Sequence, residues 1–217
     1  MKKLLIKEIR LCMNAQIIIF SLLSMMILIP SWPPVAALMY PLSGTMTLFP
    51  RALANKDIEY TTLLPLKKTD VVKGKVLFLA FIDVVTLLLA IAGGIVRALF
   101  YSPAEGEEAY FEAMMPCISL IGVGFLAYGV MNFFMVSIYY KNPYKKLTAP
   151  TLVSLFAAMI IAAVGQVVIA FVPMLRSYDT VGLIAQIAVA VGGILLFALL
   201  TYLGYWSGAK KFQKLDL

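Results

Sequence analysis

Few side chains in this 217-residue sequence could do chemistry, and their settings narrow what that chemistry is. Asp83 stands about 12 residues into an apolar run that begins near Val71, roughly 18 Å along a helix. A carboxylate at that depth is costly and calls for a purpose. Three uses fit: holding a proton, binding a substrate cation, or accepting a hydrogen bond from a neighbouring helix, and the last is the favoured reading. Arg97 lies about 14 residues further on, too far along one helix to pair with Asp83, and is expected to snorkel to an interface. Asn132, Gln166 and Gln186 are the other strongly polar groups inside apolar runs, where inter-helix hydrogen bonds are their common use. With no histidine, and with Cys12 and Cys117 the two cysteines, a zinc or haem site has almost no ligands to draw on. No Gly-x-x-x-x-Gly-Lys-Ser/Thr stretch occurs and no nucleophile stands beside a base, so catalysis by this chain itself is not expected. The stretch GVGFLAYG (122–129) lies inside an apolar run with no lysine after it. Gly122, Gly124 and Gly129 therefore read as helix contacts, not as a phosphate cradle.

The elements that must position these groups follow from composition. The chain is 62% hydrophobic and 13% charged, against about half and a quarter in ordinary soluble domains. Apolar runs of about 20 residues recur along its length, so its main solvent is lipid. The net charge of +7 reflects basic loops; membrane lipids are expected partners and nucleic acid is not.

In chain order, residues 1–14 read MKKLLIKEIRLCMN. Lys3, Lys7, Arg10 and Asn14 fall on one helical face, with Leu5, Ile9 and Cys12 towards the other. This pattern predicts an amphipathic interfacial helix whose cations meet anionic headgroups. Charges continue to Arg10 and no cleavage site follows, so the start is not read as a cleaved signal peptide. A first span is expected from Ala15 to Ser31, turned by Trp32-Pro33-Pro34, and a second from Val35 to Phe49, ended by Pro50. The second is short and holds Pro41 and Gly44, which predicts a kink or an irregular part. Further spans are expected from Val71 to near Phe100, Ala113 to Tyr139, Leu147 to Val172 and Val181 to Trp206. The expected fold is all-α: a single domain over 1–217, with six transmembrane helices and the N-terminal interfacial helix.

Charge sets the orientation. With the N-terminus inside, sixteen of the eighteen basic residues fall on the cytosolic side, leaving Arg97 and Arg176 towards the outside. Both termini are then cytoplasmic. Glu105, Glu107, Glu108 and Glu112 cluster in an outer loop and read as a solvated face. The longest polar interval, Arg51 to Val76, carries six of the basic residues together with Asp57, Glu59 and Asp70. Such a platform between apolar segments is expected to receive force from a separate soluble motor. Within the 51–70 loop, Lys56 to Leu64 could form a short helix closed by Pro65, with Thr69 as N-cap of the next helix and Asp70 at the positive end of its dipole.

In that interval, YTTLLPLKKTDVVKGKVL, the residues Leu64-Pro65, Lys67-Lys68, Val71-Val72 and Lys75 resemble a segment of small bacterial ATP-binding cassette type-2 permeases. The short basic first helix, the expected span number and the length match over the whole chain. The resemblance implies a bacterial plasma-membrane permease with no ATPase of its own. Two permease subunits, identical or homologous, would work with two cytosolic ATPases that bind ATP and Mg. The loop would hold the coupling helix, with Lys56, Asp57, Ile58, Glu59, Leu63 and Leu64 at the ATPase. Ile58 and Leu63 would supply apolar contact, and Asp57 and Glu59 would meet basic residues. Larger relatives carry re-entrant helices between the last two spans, for which only Pro173 to Thr180 is available here.

The transport path is expected along spans two and five. Tyr40, Ser43 and Thr47 share one helical face, and with Asp83 and Gln166 they are the candidate path residues. Thr151, Ser154, Ala158, Ala162 and Gly165 form a stripe of small residues. Ala158, Ala162 and Gly165 are the candidate dimer interface, with packing inside one subunit as the alternative. A mixed apolar and hydroxyl surface suits export of an amphipathic peptide, a lipid-like molecule or a drug. Two other classes compete: a non-transporting immunity or assembly factor, and a secondary transporter using Asp83. A co-purifying ATPase separates the first reading from both.

Overall fold

The computed structural model describes residues 2–63, 66–101, 117–141 and 148–215, and among these it is helical with no strand. Leu64, Pro65, the acidic cluster at 105–112 and the KNPYKK loop up to residue 147 lie outside the described residues apart from Lys141.

Helix α1 (Lys2–Cys12) is followed by α2 (Ala15–Leu22), whose first turn is capped by the Asn14 side chain accepting from the Ile17 amide at 2.6 Å. α2 tightens into a 3-10 segment over Leu23–Leu28, where the Ser24 hydroxyl donates to the Ser21 carbonyl. The prolines then turn the chain into α3 (Pro34–Thr45). The irregularity expected of the second apolar segment falls at Met46-Thr47, where the Thr47 hydroxyl donates to the Gly44 carbonyl at 2.8 Å. Pro50 does not end the segment as expected. It occupies the first turn of α4 (Leu48–Ala54), where a missing N–H costs no helical hydrogen bond. Lys56, the positive-φ non-glycine among the described residues (φ 51°), turns the chain into α5 (Asp57–Thr62).

Helix α6 (Lys68–Phe100) has 33 residues, about 50 Å at 1.5 Å per residue. It starts before the expected cap, so Thr69 lies inside it, while Asp70 remains in the first turn. Then follow α7 (Ile118–Tyr139), α8 (Thr148–Phe171) and α9 (Thr180–Gln213), the last capped by the Asp179 carboxylate on the Gly182 amide. α9 runs past Trp206, so Lys210 and Lys211 belong to its last turn. Among the described residues four helices are long and apolar enough to cross a membrane: α6, α7, α8 from Thr151, and α9. The two N-terminal apolar segments are broken helices instead of continuous spans.

α7 and α9 run parallel in close contact, with Tyr140 against Phe212 at one end and Gly122 against Gly193 towards the other. A Cβ on Gly193 would stand 2.1 Å from the Gly122 carbonyl oxygen, so both backbones need glycine there. One end of the bundle gathers α1, α5, the start of α6 and the ends of α7 and α9: Lys7 meets Asp57, and Lys211 donates to the Ser137 carbonyl at 2.9 Å. At the other end Arg97 is buried and does not snorkel. Its guanidinium donates to the carbonyls of Ile27 (3.1 Å), Ile29 (3.3 Å) and Pro30 (3.2 Å) where the 3-10 segment ends, and the Ile29 carbonyl also accepts from the Trp32 amide.

Candidate functional site

The cation face expected of α1 is divided: Arg10 stays exposed, and the Lys3 side chain lies outside the described residues. Lys7 turns inward, and with Glu8 and Cys12 it joins Asp57 and Thr61 of α5 and Lys75 of α6 in one buried cluster. Lys75 is 1% exposed. Its ammonium lies 2.9 Å from Glu8 Oε2 and 3.3 Å from Cys12 Sγ, and it also pairs with Asp57 Oδ2. Lys7 Nζ lies 2.8 Å from Glu8 Oε1, 2.9 Å from Asp57 Oδ1 and 2.7 Å from the Thr61 hydroxyl. Two ammonium groups thus alternate with two carboxylates, and the buried charges cancel. Phe49 of α4 packs tilted on Tyr139 of α7, and Tyr139, the capping Tyr140 and Phe212 of α9 continue edge to face through this end of the bundle.

Burial alone would raise the Asp57 carboxyl, but the Lys75 and Lys7 charges and hydrogen bonds outweigh it and hold the group below the usual carboxylate range. Burial, with Glu8 and Asp57 nearby, pushes the Cys12 thiol up to about 11 against the pull of Lys75, so Cys12 is a protonated, inert thiol at neutral pH. Ligand atoms of Glu8, Cys12 and Asp57 lie within 4.8 Å of one another, close enough for a metal. The Lys75 ammonium contacts all three groups and already supplies the positive charge there.

α5 is therefore two-faced. Asp57, Ile58 and Thr61 point into the chain, whereas Lys56, Glu59, Tyr60 and Leu63 point out, with Leu63 85% exposed. Of the residues expected at the ATPase, Asp57 and Ile58 are held inside this chain, while Lys56, Glu59 and Leu63 are available at the surface. Leu64 lies outside the described residues. Lys56 and Glu59 form an exposed ion pair at 3.7 Å, the kind that contributes little stability.

At mid-bundle, Asn132 of α7 donates to Asp83 Oδ2 (2.8 Å) and to the Thr201 hydroxyl of α9 (3.2 Å), so Asp83 bonds across helices, as favoured from its depth. Gln186 also bridges elements, accepting from the Ile118 amide and donating to the Ser177 carbonyl. The candidate path residues are spread over several elements. Tyr40 is exposed and Ser43 half-buried on α3, Thr47 sits in the turn beyond it, and half-buried Gln166 is on α8. Ala158 and Ala162 are fully buried within the single chain, and a Cβ at Gly165 would meet Val123 of α7 at 2.4 Å. The small-residue stripe of α8 is spent on packing inside the chain, so these residues do not present a surface to a second copy.

Sequence reasoning missed Lys7, Glu8 and Cys12 as parts of a site. One signal was present: Glu8 is the lone carboxylate among the cations of the first helix.

A bundle holding helices long and apolar enough to cross a membrane is the architecture of a polytopic membrane protein. The chain belongs to the ABC-2 transporter family: the model described as ABC-2 family transporter protein matches residues 3–213. It is thus an ABC transporter permease, and the family implies association with ABC ATPase subunits. No curated protein and no solved structure matches the chain.

Proposed function

We propose that the chain is the permease of a bacterial exporter, driven by ATP and Mg bound on separate cytosolic ATPase subunits, with α5 as its coupling helix. The supporting observation is the double grip on Asp57 by Lys7 of α1 and Lys75 of α6. A push on the outer face of α5, made by Lys56, Glu59, Tyr60 and Leu63, is transmitted through that grip to α6. At the far end of α6, Arg97 holds the carbonyls of the first apolar segment, so movement of α6 carries that segment with it.

In this reading the chain crosses the plasma membrane six times, counting the two broken N-terminal segments, with both termini cytoplasmic. α1 and the end of α9 share one end of the bundle, which fits an even number of crossings. The cargo is an amphipathic peptide, a lipid-like molecule or a drug, moving past Tyr40, Ser43 and Thr47. A second permease subunit completes the path through residues other than Ala158 and Ala162. The test is ATP hydrolysis by the reconstituted complex: Leu63→Asp lowers cargo-stimulated hydrolysis at least tenfold, about 1.4 kcal/mol of coupling, with insertion unchanged. Unchanged stimulation places the ATPase contact elsewhere.

A further inference from the structure

The polar group at mid-bundle is short of donors. Asp83 is 0% exposed, and its Oδ2 accepts from Asn132. The Asn132 amide has two N–H bonds to give, one to Asp83 and one to Thr201, and both are spent. Two buried oxygens, Asp83 Oδ1 and Asn132 Oδ1, then have no hydrogen-bond partner among the described residues. They belong to the side-chain pair already joined by the amide-to-carboxylate bond. Buried acceptors are almost always satisfied, and an uncompensated carboxylate inside a membrane is among the costliest of buried groups.

The surroundings do not meet this need. Tyr128 of α7 also carries a buried hydroxyl, and it donates elsewhere, to the Leu38 carbonyl at 3.3 Å. Among the described residues no lysine, arginine or second carboxylate pairs with Asp83. A water would supply donors and leave the charge. What satisfies both oxygens and also cancels the charge is a small cation between them.

We propose that Asp83, Asn132 and Thr201, contributed by α6, α7 and α9, form a site for one monovalent cation, a sodium ion or a proton, held between Asp83 Oδ1 and Asn132 Oδ1. The cation ties three helices together, so its occupancy stabilises their packing. Asparagine at 83 removes the need for it: the new amide donates to Asn132 Oδ1 while Asn132 donates back, and the pair is complete without a charge.

The test is the thermal unfolding of the purified full chain, with any co-purifying ATPase, against sodium at constant ionic strength (choline as replacement) and against pH. For a sodium site, each tenfold rise in sodium above its dissociation constant raises Tm by about 3–5 °C. Asp83→Asn abolishes that response. For a proton, Tm is indifferent to sodium and falls as pH rises, and Asp83→Asn removes that fall. Asn132→Asp sets a second carboxylate against the first, moving the onset of a sodium response to lower sodium or extending a pH-dependent fall to higher pH, which keeps the test open if Asp83→Asn does not accumulate. Identical sodium and pH responses in wild type and Asp83→Asn, or an unshifted sodium onset and pH range in Asn132→Asp, overturn the site.

Discussion

Lys75 of α6 and Glu8 of α1 meet at 2.9 Å with both side chains closed off from solvent. The pair is held between helices that share no sequence neighbourhood, and Asp57 of α5 completes it on the other side of the ammonium. Removing one partner of such a group strands a buried charge. Lys75→Met is expected to destabilise the chain by about 3–5 kcal/mol, seen as early unfolding in detergent. Adding Glu8→Gln to that variant returns part of the loss, because the orphaned charge goes with it; no recovery in the double variant contradicts the pairing.

The same clasp predicts a pH window for α5. The folded Asp57 carboxyl is held below its ordinary value of 3.8, so its stabilising contribution is complete above that pH. It declines as pH falls below 3.8 towards the folded value and is gone beneath it. Hydrogen exchange at the α5 amides should be slow and flat from pH 7 down to about 5, once corrected for intrinsic rates, and should accelerate below about 4. Asp57→Asn removes the transition.

Two adjacent glycines give a controlled test of the α7–α9 contact. A Cβ on Gly193 would run into the Gly122 backbone, with its carbonyl oxygen at 2.1 Å, whereas a Cβ on Gly192 meets nothing within 4 Å. Gly193→Ala is expected to cost about 1–3 kcal/mol through overpacking. Gly192→Ala is expected to gain about 0.5–1 kcal/mol from helix propensity. Melting of the purified variants gives the order directly, and equal behaviour would refute the close backbone approach.

How much of this was legible beforehand depends on the reach of each interaction. The apolar run behind α6, the contact role of the α7 glycines and the cross-helix bond of Asp83 are local or depth properties, and the sequence carries them. Asp57 reads as a carboxylate offered to the basic residues of an ATPase, because the lysines that bury it lie 50 and 18 positions away. Arg97 reads as a snorkelling cation. Its true partners are carbonyls where the first apolar segment ends in a 3-10 turn, which no residue pattern there announces. A stripe such as Ala158 and Ala162 serves a partner helix equally well within a chain or between chains, so its pattern cannot choose; burial within one chain does.

Topology is checked by impermeant thiol labelling of intact cells in a Cys117→Ser background, with buried Cys12 left in place. Tyr178→Cys, at the Arg97 end of the bundle, should label. Gln213→Cys, at the Lys75 end, should label after the membrane is opened and not before. Labelling of Gln213→Cys in intact cells contradicts the cytoplasmic C-terminus.

The account turns on α5 as the surface that receives force, and the most direct measurement is a photo-crosslinker at Leu63, compared with one at Leu195 on the exposed face of α9. The account predicts that irradiation of native membranes captures an ATP-hydrolysing subunit from position 63 and not from 195, with a yield that changes between ATP-bound and nucleotide-free conditions. Capture of no ATPase from position 63, in a chain that is inserted and still co-purifies with one, would contradict it.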